Sequence, residues 1–253
     1  MFDVNTAIGH WPFRKLLRNS AAELYGHLRS FGIKKAAVWH NHAVFYMNAQ
    51  AGNLELAKET ERYNNFFVMV ATLNPAYAAA CKDLQYCVRQ LGFSALRLLP
   101  KYHDYSLQDS CLDELLCTAQ SLNIPVFLPF EIVNFRQKHW MEPDQPLESQ
   151  SIIELCRRYP GVNFILCEGG YVEEMAGLAN LYVEMSRYRS SYGQVLAKMI
   201  KKLGAERILF GSGSPFKEIE PALLKLRFCE VSEEQKELIS FKNADRLLRP
   251  GGA

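Results

Sequence analysis

Two glutamates and an arginine stand where this sequence could do chemistry. Glu131 follows the apolar run Phe127-Leu-Pro-Phe130, Glu168 follows Ile165-Leu-Cys167, and Arg97 lies inside Ala95–Leu99. A carboxyl set among apolar residues is costly to bury unless it has a purpose, and burial raises its pKa toward the range of a general base. Arg97 needs an anion, supplied either by one of these glutamates or by the carboxylate or oxyanion of a ligand. His103, in Lys101-Tyr-His-Asp-Tyr105, and His40 or His42 are the imidazoles that could serve as the acid. If a strand runs through His40 and His42 they share a face, and with Glu168 they could hold a metal, but two histidines in a loop are more often ordinary hydrogen-bonding groups. Ser212 and Ser214 have no partner histidine at nucleophile spacing, so Ser212 is a candidate for substrate binding only. His10 and Trp11 pack a turn, and His27 and His139 receive no chemical role.

The elements that position these groups alternate. Strand-like runs begin near Phe2, Lys35, Phe66, Ser94, Pro125, Val162, Leu181 and Arg207, with amphipathic segments between most of them. Ser20-Ala-Ala-Glu23 and Ser232-Glu-Glu-Gln235 are capping boxes that open helices. Gly52–Tyr63, Ala78–Leu91, a stretch from Ser110, Leu147–Tyr159 and Gly193–Leu203 read as further helices, Val172–Leu178 as a weaker one, and Pro250–Ala253 as a frayed tail. The first strand, Phe2–Phe13, brings Asn5 and Ala7 to one face. Two imidazoles at that spacing would make half of a metal site; here they are an amide and a methyl.

Eight strands alternating with helices over 253 residues predict an α/β fold, a (β/α)8 TIM barrel in one domain spanning 1–253. A doubly wound sheet would favour a glycine-rich turn after an early strand, and Gly9-His-Trp-Pro12 has one glycine. In a barrel the chemistry lies at the carboxyl ends of the strands, where all the candidates above fall. Asn134–Pro146, carrying Phe135, Arg136, Trp140 and Met141, is long enough to be a lid over the mouth or a dimer contact, with Asn41–Asn53 as a second wall.

The formal charge is +2 with the basic residues dispersed, which argues against a nucleic-acid footprint or a membrane anchor. The longest apolar run, Phe66–Leu73, is too short to span a bilayer, and the start lacks a signal pattern. Seven cysteines without metal or redox spacing suit reduced thiols in a cytoplasmic protein.

Several fragments, in order, resemble the amidohydrolase-2 family, barrel hydrolases and decarboxylases related to aminocarboxymuconate semialdehyde decarboxylase. They are Phe2-Asp-Val-Asn5 with Ile8-Gly9, Gly92-Phe-Ser-Ala-Leu-Arg-Leu-Leu-Pro100, Ile124-Pro-Val126, Ile165-Leu-Cys-Glu-Gly-Gly170, Ile208-Leu-Phe-Gly-Ser-Gly-Ser-Pro-Phe216 and Lys242-Asn-Ala-Asp-Arg-Leu-Leu248. The resemblance implies a metal held by first-strand, fifth-strand and sixth-strand histidines and an eighth-strand Asp. Asn5, Ala7, Pro129, Glu168 and Gly213 stand at or near those positions. The departures predict a site with no metal and no other cofactor.

From this follows the expectation of a hydrolase working without the family metal on a small polar ester or lactone, with decarboxylation of a small carboxylic acid also open. Glu168 or Glu131 would be the base, its pKa raised by burial, His103 or one of His40 and His42 the acid, and Arg97, Asn5 and Ser212 part of the substrate site. The alternative is a non-catalytic barrel that binds a ligand. The expected partner is a small molecule, with a homodimer as the family's suggestion.

Overall fold

Eight parallel strands follow one another around the sheet in chain order. The structure is a computed structural model that describes residues 1–134, 136–143, 145–188 and 194–249; Phe135, Gly193 and the tail from Pro250 lie outside them. The order is β1 (Phe2–Ile8), α1 (Ala21–Ser30), β2 (Lys35–His40), α2 (His42–Phe45), α3 (Ala49–Thr60), β3 (Phe67–Thr72), α4 (Ala80–Leu91), β4 (Ala95–Arg97) and α5 (Pro100–His103). It continues with α6 (Cys111–Ser121), β5 (Val126–Pro129), α7 (Ser149–Arg158), β6 (Phe164–Cys167), β7 (Leu181–Glu184), α8 (Gln194–Leu203), β8 (Ile208–Leu209), α9 (Glu220–Arg227), α10 (Glu233–Glu237) and α11 (Asn243–Leu247). The segment Glu173–Gly177 forms a 3₁₀ turn.

The strands alternate between two apolar layers. Trp39, Val70, Ala95, Phe127, Ile165 and Leu209 meet inside the ring, while Val38, Leu96, Val126, Leu166 and Ile208 pack outward with Leu24, Leu28, Leu112 and Ile152 of the helices. Burial on both faces is why the strands read as continuous apolar runs. The capping box predicted at Ser20 and Glu23 is present, and it sets α1 so that Leu24 and Leu28 face inward. Truncating either leucine to alanine costs roughly 2–5 kcal/mol.

Backbone hydrogen bonds close the ring. Val4 N donates to Phe210 O, Ala7 N to Ser214 O and Gly213 N to Asn5 O, each at 2.9 Å. The chain's end is tied to the same seam, since Asn243 Nδ2 donates to the carbonyls of Ala205 at 2.7 Å and Ile208 at 2.9 Å. The resulting architecture is a TIM barrel.

Of the boundaries that differ from the sequence reading, two bear on the site. The first strand ends at Ile8 rather than Phe13, because Gly9 turns at φ +87° and brings its backbone against the His40 ring. The second strand ends at His40, and His42 opens α2. The two histidines therefore do not continue along one strand face.

Candidate active site

The inner face of β1 presents Asn5 to two carboxylates. Its Nδ2 lies 2.5 Å from Glu168 Oε1 and 3.1 Å from Glu184 Oε2. Glu168 follows β6 in a left-handed conformation, φ +66°, which is strained for a residue with a side chain and is found where a site requires it. Its Oε2 accepts from Lys217 Nζ and, at 3.1 Å, from Arg187 Nε. Arg187 continues to Glu131 through Nη1 and to the Ile132 carbonyl through Nη2 at 3.4 Å. Lys217 Nζ also donates to Ser186 Oγ at 3.0 Å, and Ser186 Oγ donates to Glu184 Oε2 at 2.9 Å. A chain of polar hydrogens thus runs from Lys217 through Ser186 to Glu184.

The carboxyls titrate in opposite directions. Burial alone would raise Glu168, but Lys217 and Arg187 outweigh it and hold the carboxyl below its usual range. This corrects the expectation of a base raised by burial. Glu184 is raised, by burial first and then by the charge of Glu168. Asp3, wholly buried beneath Asn5, is pushed up to about 7 by burial, although its Oδ1 accepts from the backbone N of Asn5 and of Ser212. Its Oδ2 has no partner among the described residues. Lys225, from α9, donates to the Ser186 carbonyl, and burial brings its ammonium down to about 8.

Arg97 is 2% exposed, with its Cζ 4.4 Å from the centroid of the Trp39 ring. Among the described residues no carboxylate lies within ion-pair distance of it, and its Nε has no hydrogen-bond partner. Burial pulls its pKa down, partly offset by Cys167, Glu168 and Glu184. Above it Trp39 stacks on Phe216 at 6.3 Å and Phe216 meets Trp11 edge-on at 5.0 Å. The stretch from Asn134 lies over this column. Its Glu142, 3% exposed, accepts from Trp11 Nε1 at 3.1 Å and Tyr102 Oη at 3.3 Å.

The other sequence-predicted residues stand apart from this centre. His103 Nε2 is 3.2 Å from the Val44 carbonyl. Ser212 is spent on the turn, its Oγ accepting from Ser214 N at 3.0 Å. His40 lies on the outward face of β2, 3.5 Å from Glu59 of α3, and His42 Nδ1 is 2.8 Å from Glu55. These two histidines form their cluster with Glu55, not Glu168. Glu184, Arg187 and Lys217 received no role from the sequence. The signal for the two cations was charge balance: buried Glu168 and Glu131 required them.

A groove of about 1100 Å³, open to solvent, has Lys217 in its lining. Among the described residues, Arg14, Lys15, Arg18, Arg136 and Lys217 line it against one acid, Glu218. The residues at the family's metal positions do not fit a metal. Asn5 turns N–H groups inward, Ala7, Pro129 and Gly213 offer no donor, and the one carboxylate, Glu168, is neutralised by two cations.

A model of the Amidohydro_2 amidohydrolase family matches residues 14–249. Among solved structures, the chain is similar to 2,6-dihydroxybenzoate decarboxylase from Rhizobium, with 18% identity, a TM-score of 0.74 and 98% of each chain covered. It is similar to 5-carboxyvanillate decarboxylase from Sphingomonas paucimobilis, with 14% identity, a TM-score of 0.78 and again 98% of each chain. A dihydroxybenzoic acid decarboxylase from Polaromonas sp. JS666, solved with manganese and 2-nitroresorcinol, gives 17% identity and 0.75 over 98% of this chain and 96% of that one. At these identities the likeness speaks for the fold.

Proposed function

This chain belongs to the Amidohydro_2 amidohydrolase family, and from that premise we propose that it is a decarboxylase of a small organic acid that works through Lys217 without a metal. The observation that carries this reading is Lys217, which lines a basic groove and whose ammonium is hydrogen-bonded to Ser186 Oγ. The groove's positive lining draws in an anion. Lys217 delivers a proton from Nζ to the carbon that bears the carboxylate. The bond from that carbon to the carboxylate breaks, its electron pair stays on the carbon to hold the new proton, and carbon dioxide leaves. Glu184, whose carboxyl is pushed up by burial and by the charge of Glu168, returns a proton to Lys217 through Ser186 Oγ. Arg97 beneath Trp39 supplies a fixed positive charge for a carboxylate. The decarboxylases with this fold act on aryl carboxylates, which supports an aromatic acid as the first substrate to try.

The ester or lactone reading requires a free carboxylate base. Glu168 is held by Lys217 and Arg187, and Glu131 by Arg187, so neither is poised to take a proton from water. A panel of hydroxybenzoates and short unsaturated acids, incubated in D₂O, tests the proposal. The expected result is deuterium at the carbon that lost its carboxylate, unaffected by chelator, with kcat falling at least about a hundredfold in Lys217→Ala. Turnover of esters or lactones that survives Lys217→Ala would overturn it.

A further inference from the structure

The polar centre carries its positive charge in its own side chains, and we infer that Lys217, seconded by Arg187, stands in place of a divalent cation and excludes one. Two departures at the family's metal positions, Glu168 and Gly213, fit together with Lys217 as one exchange. Glu168 puts a carboxylate at the end of β6, Lys217 places an ammonium on it, and Gly213 leaves room for that pair. A Cβ built on Gly213 would lie 3.0 Å from Lys217 Cδ and 3.1 Å from Glu168 Oε1. A side chain at 213 and the Lys217–Glu168 pair therefore compete for the same space. The Gly213 backbone, at φ +77°, already has the conformation that glycine tolerates best.

Asn5 completes the exchange. Its Nδ2 lies against carboxyl oxygens of Glu168 and Glu184, and the ion-paired Glu168 carboxylate can only accept, so the amide turns its hydrogens, not its oxygen, to the centre. An approaching dication would meet two N–H groups, an ammonium and a guanidinium, with the Glu168 charge already compensated. Manganese is present in a solved structure of the same fold, so the barrel itself is no obstacle. The exclusion lies in these side chains. It does not rest on the decarboxylase reading, because its test reads metal binding and not turnover.

The experiment titrates Mn²⁺ into the full chain, purified without chelator or metal-affinity resin, and follows free Mn²⁺ by electron paramagnetic resonance. Manganese is the probe because it prefers oxygen ligands to the imidazoles of His40 and His42. The wild type should show no saturable site, and Lys217→Arg, which keeps the charge, should match it. Lys217→Met should gain a saturable Mn²⁺ site, at least about tenfold tighter than any residual binding to the wild type, since a unit positive charge next to the site is gone. Gly213→Asp added to Lys217→Met should tighten it further. One equivalent of Mn²⁺ on the wild type, lost in Glu168→Gln, would overturn the inference. So would a folded Lys217→Met with wild-type affinity. If Lys217→Met does not fold, Lys217→Gln is titrated in its place: tighter Mn²⁺ binding supports the exchange, and wild-type affinity overturns it.

Discussion

Asn5 Nδ2 donates to Glu168 Oε1 at 2.5 Å, joining the first strand of the barrel to the end of the sixth. The same nitrogen reaches Glu184, so one neutral amide separates two carboxyls of opposite titration behaviour. Asn5→Asp would replace those hydrogens with lone pairs facing lone pairs. The expected loss is roughly 3 kcal/mol at neutral pH, shrinking in acid as the carboxyls take up protons. Urea denaturation at pH 5 and pH 8 measures it, and equal stability of variant and wild type at pH 8 would remove Asn5 from the network.

Asp3 makes a pH prediction with a definite sign. Its carboxyl has a pKa of about 7 in the folded chain, and about 3.9 is usual when exposed. Below the unfolded value both states hold the proton and nothing is lost. Between the two values the unfolded chain has released the proton and the folded chain has not, so stability falls as pH rises and levels off above the folded pKa. Asp3→Asn keeps an oxygen for the Asn5 and Ser212 backbone hydrogens and removes the titration. It should gain on the wild type across that window, up to roughly 4 kcal/mol by linkage. A constant difference between pH 4 and pH 8 would show that Asp3 titrates normally.

Arg97 should trade stability against function. A buried guanidinium with no carboxylate in contact is held at a cost, and Met has a comparable apolar reach. Arg97→Met is expected to be as stable as the wild type or more so, by roughly 1–3 kcal/mol, while losing the binding of an anionic substrate. Thermal melts with and without the best acid of the panel read both effects. A large destabilisation with binding intact would make Arg97 structural.

The barrel was legible because strands buried on both faces leave apolar runs, and every strand start fell within two residues of its observed place. The meeting of Asn5 with Glu168 was legible too, since strand ends in a barrel converge, whereas Arg97 makes no ion pair with Glu168 or Glu131 among the described residues. The cations were not. Lys217 follows Gly-Ser-Pro-Phe and Arg187 follows Ser186, contexts that read as surface loop, and only folding brings both onto Glu168. His40 and His42 misled for the opposite reason. Spacing two apart implies one face only while a strand lasts, and β2 stops at His40.

Glu142 fastens the stretch after β5 over the mouth. It accepts from Trp11, Tyr102 and, at 2.7 Å, the backbone N of His139. Glu142→Ala leaves the buried Trp11 indole donor without its partner, a loss of roughly 1–3 kcal/mol. Hydrogen exchange should quicken in 136–143 and around Trp11 while the strand amides stay protected. Unchanged exchange in 136–143 would mean that other contacts hold the cover.

The outer histidine cluster predicts two opposite tautomers. His40 Nδ1 accepts from the backbone N of His42 at 3.2 Å, so its proton belongs on Nε2, facing Glu59. His42 Nε2 accepts from the backbone N of His10 at 3.1 Å, so its proton belongs on Nδ1, facing Glu55. Nitrogen-15 shifts of the imidazoles should therefore give Nε2–H for one ring and Nδ1–H for the other near pH 8. The arrangement also opposes zinc, although His40, His42 and Glu55 are close enough to be ligands. A metal needs the lone pair of the very nitrogen that carries each proton, and moving the protons would set two N–H groups against backbone N–H donors. Zinc added to the full chain should leave both tautomers in place, whereas a tautomer exchange at one equivalent would turn this clasp between β2 and α3 into a metal site.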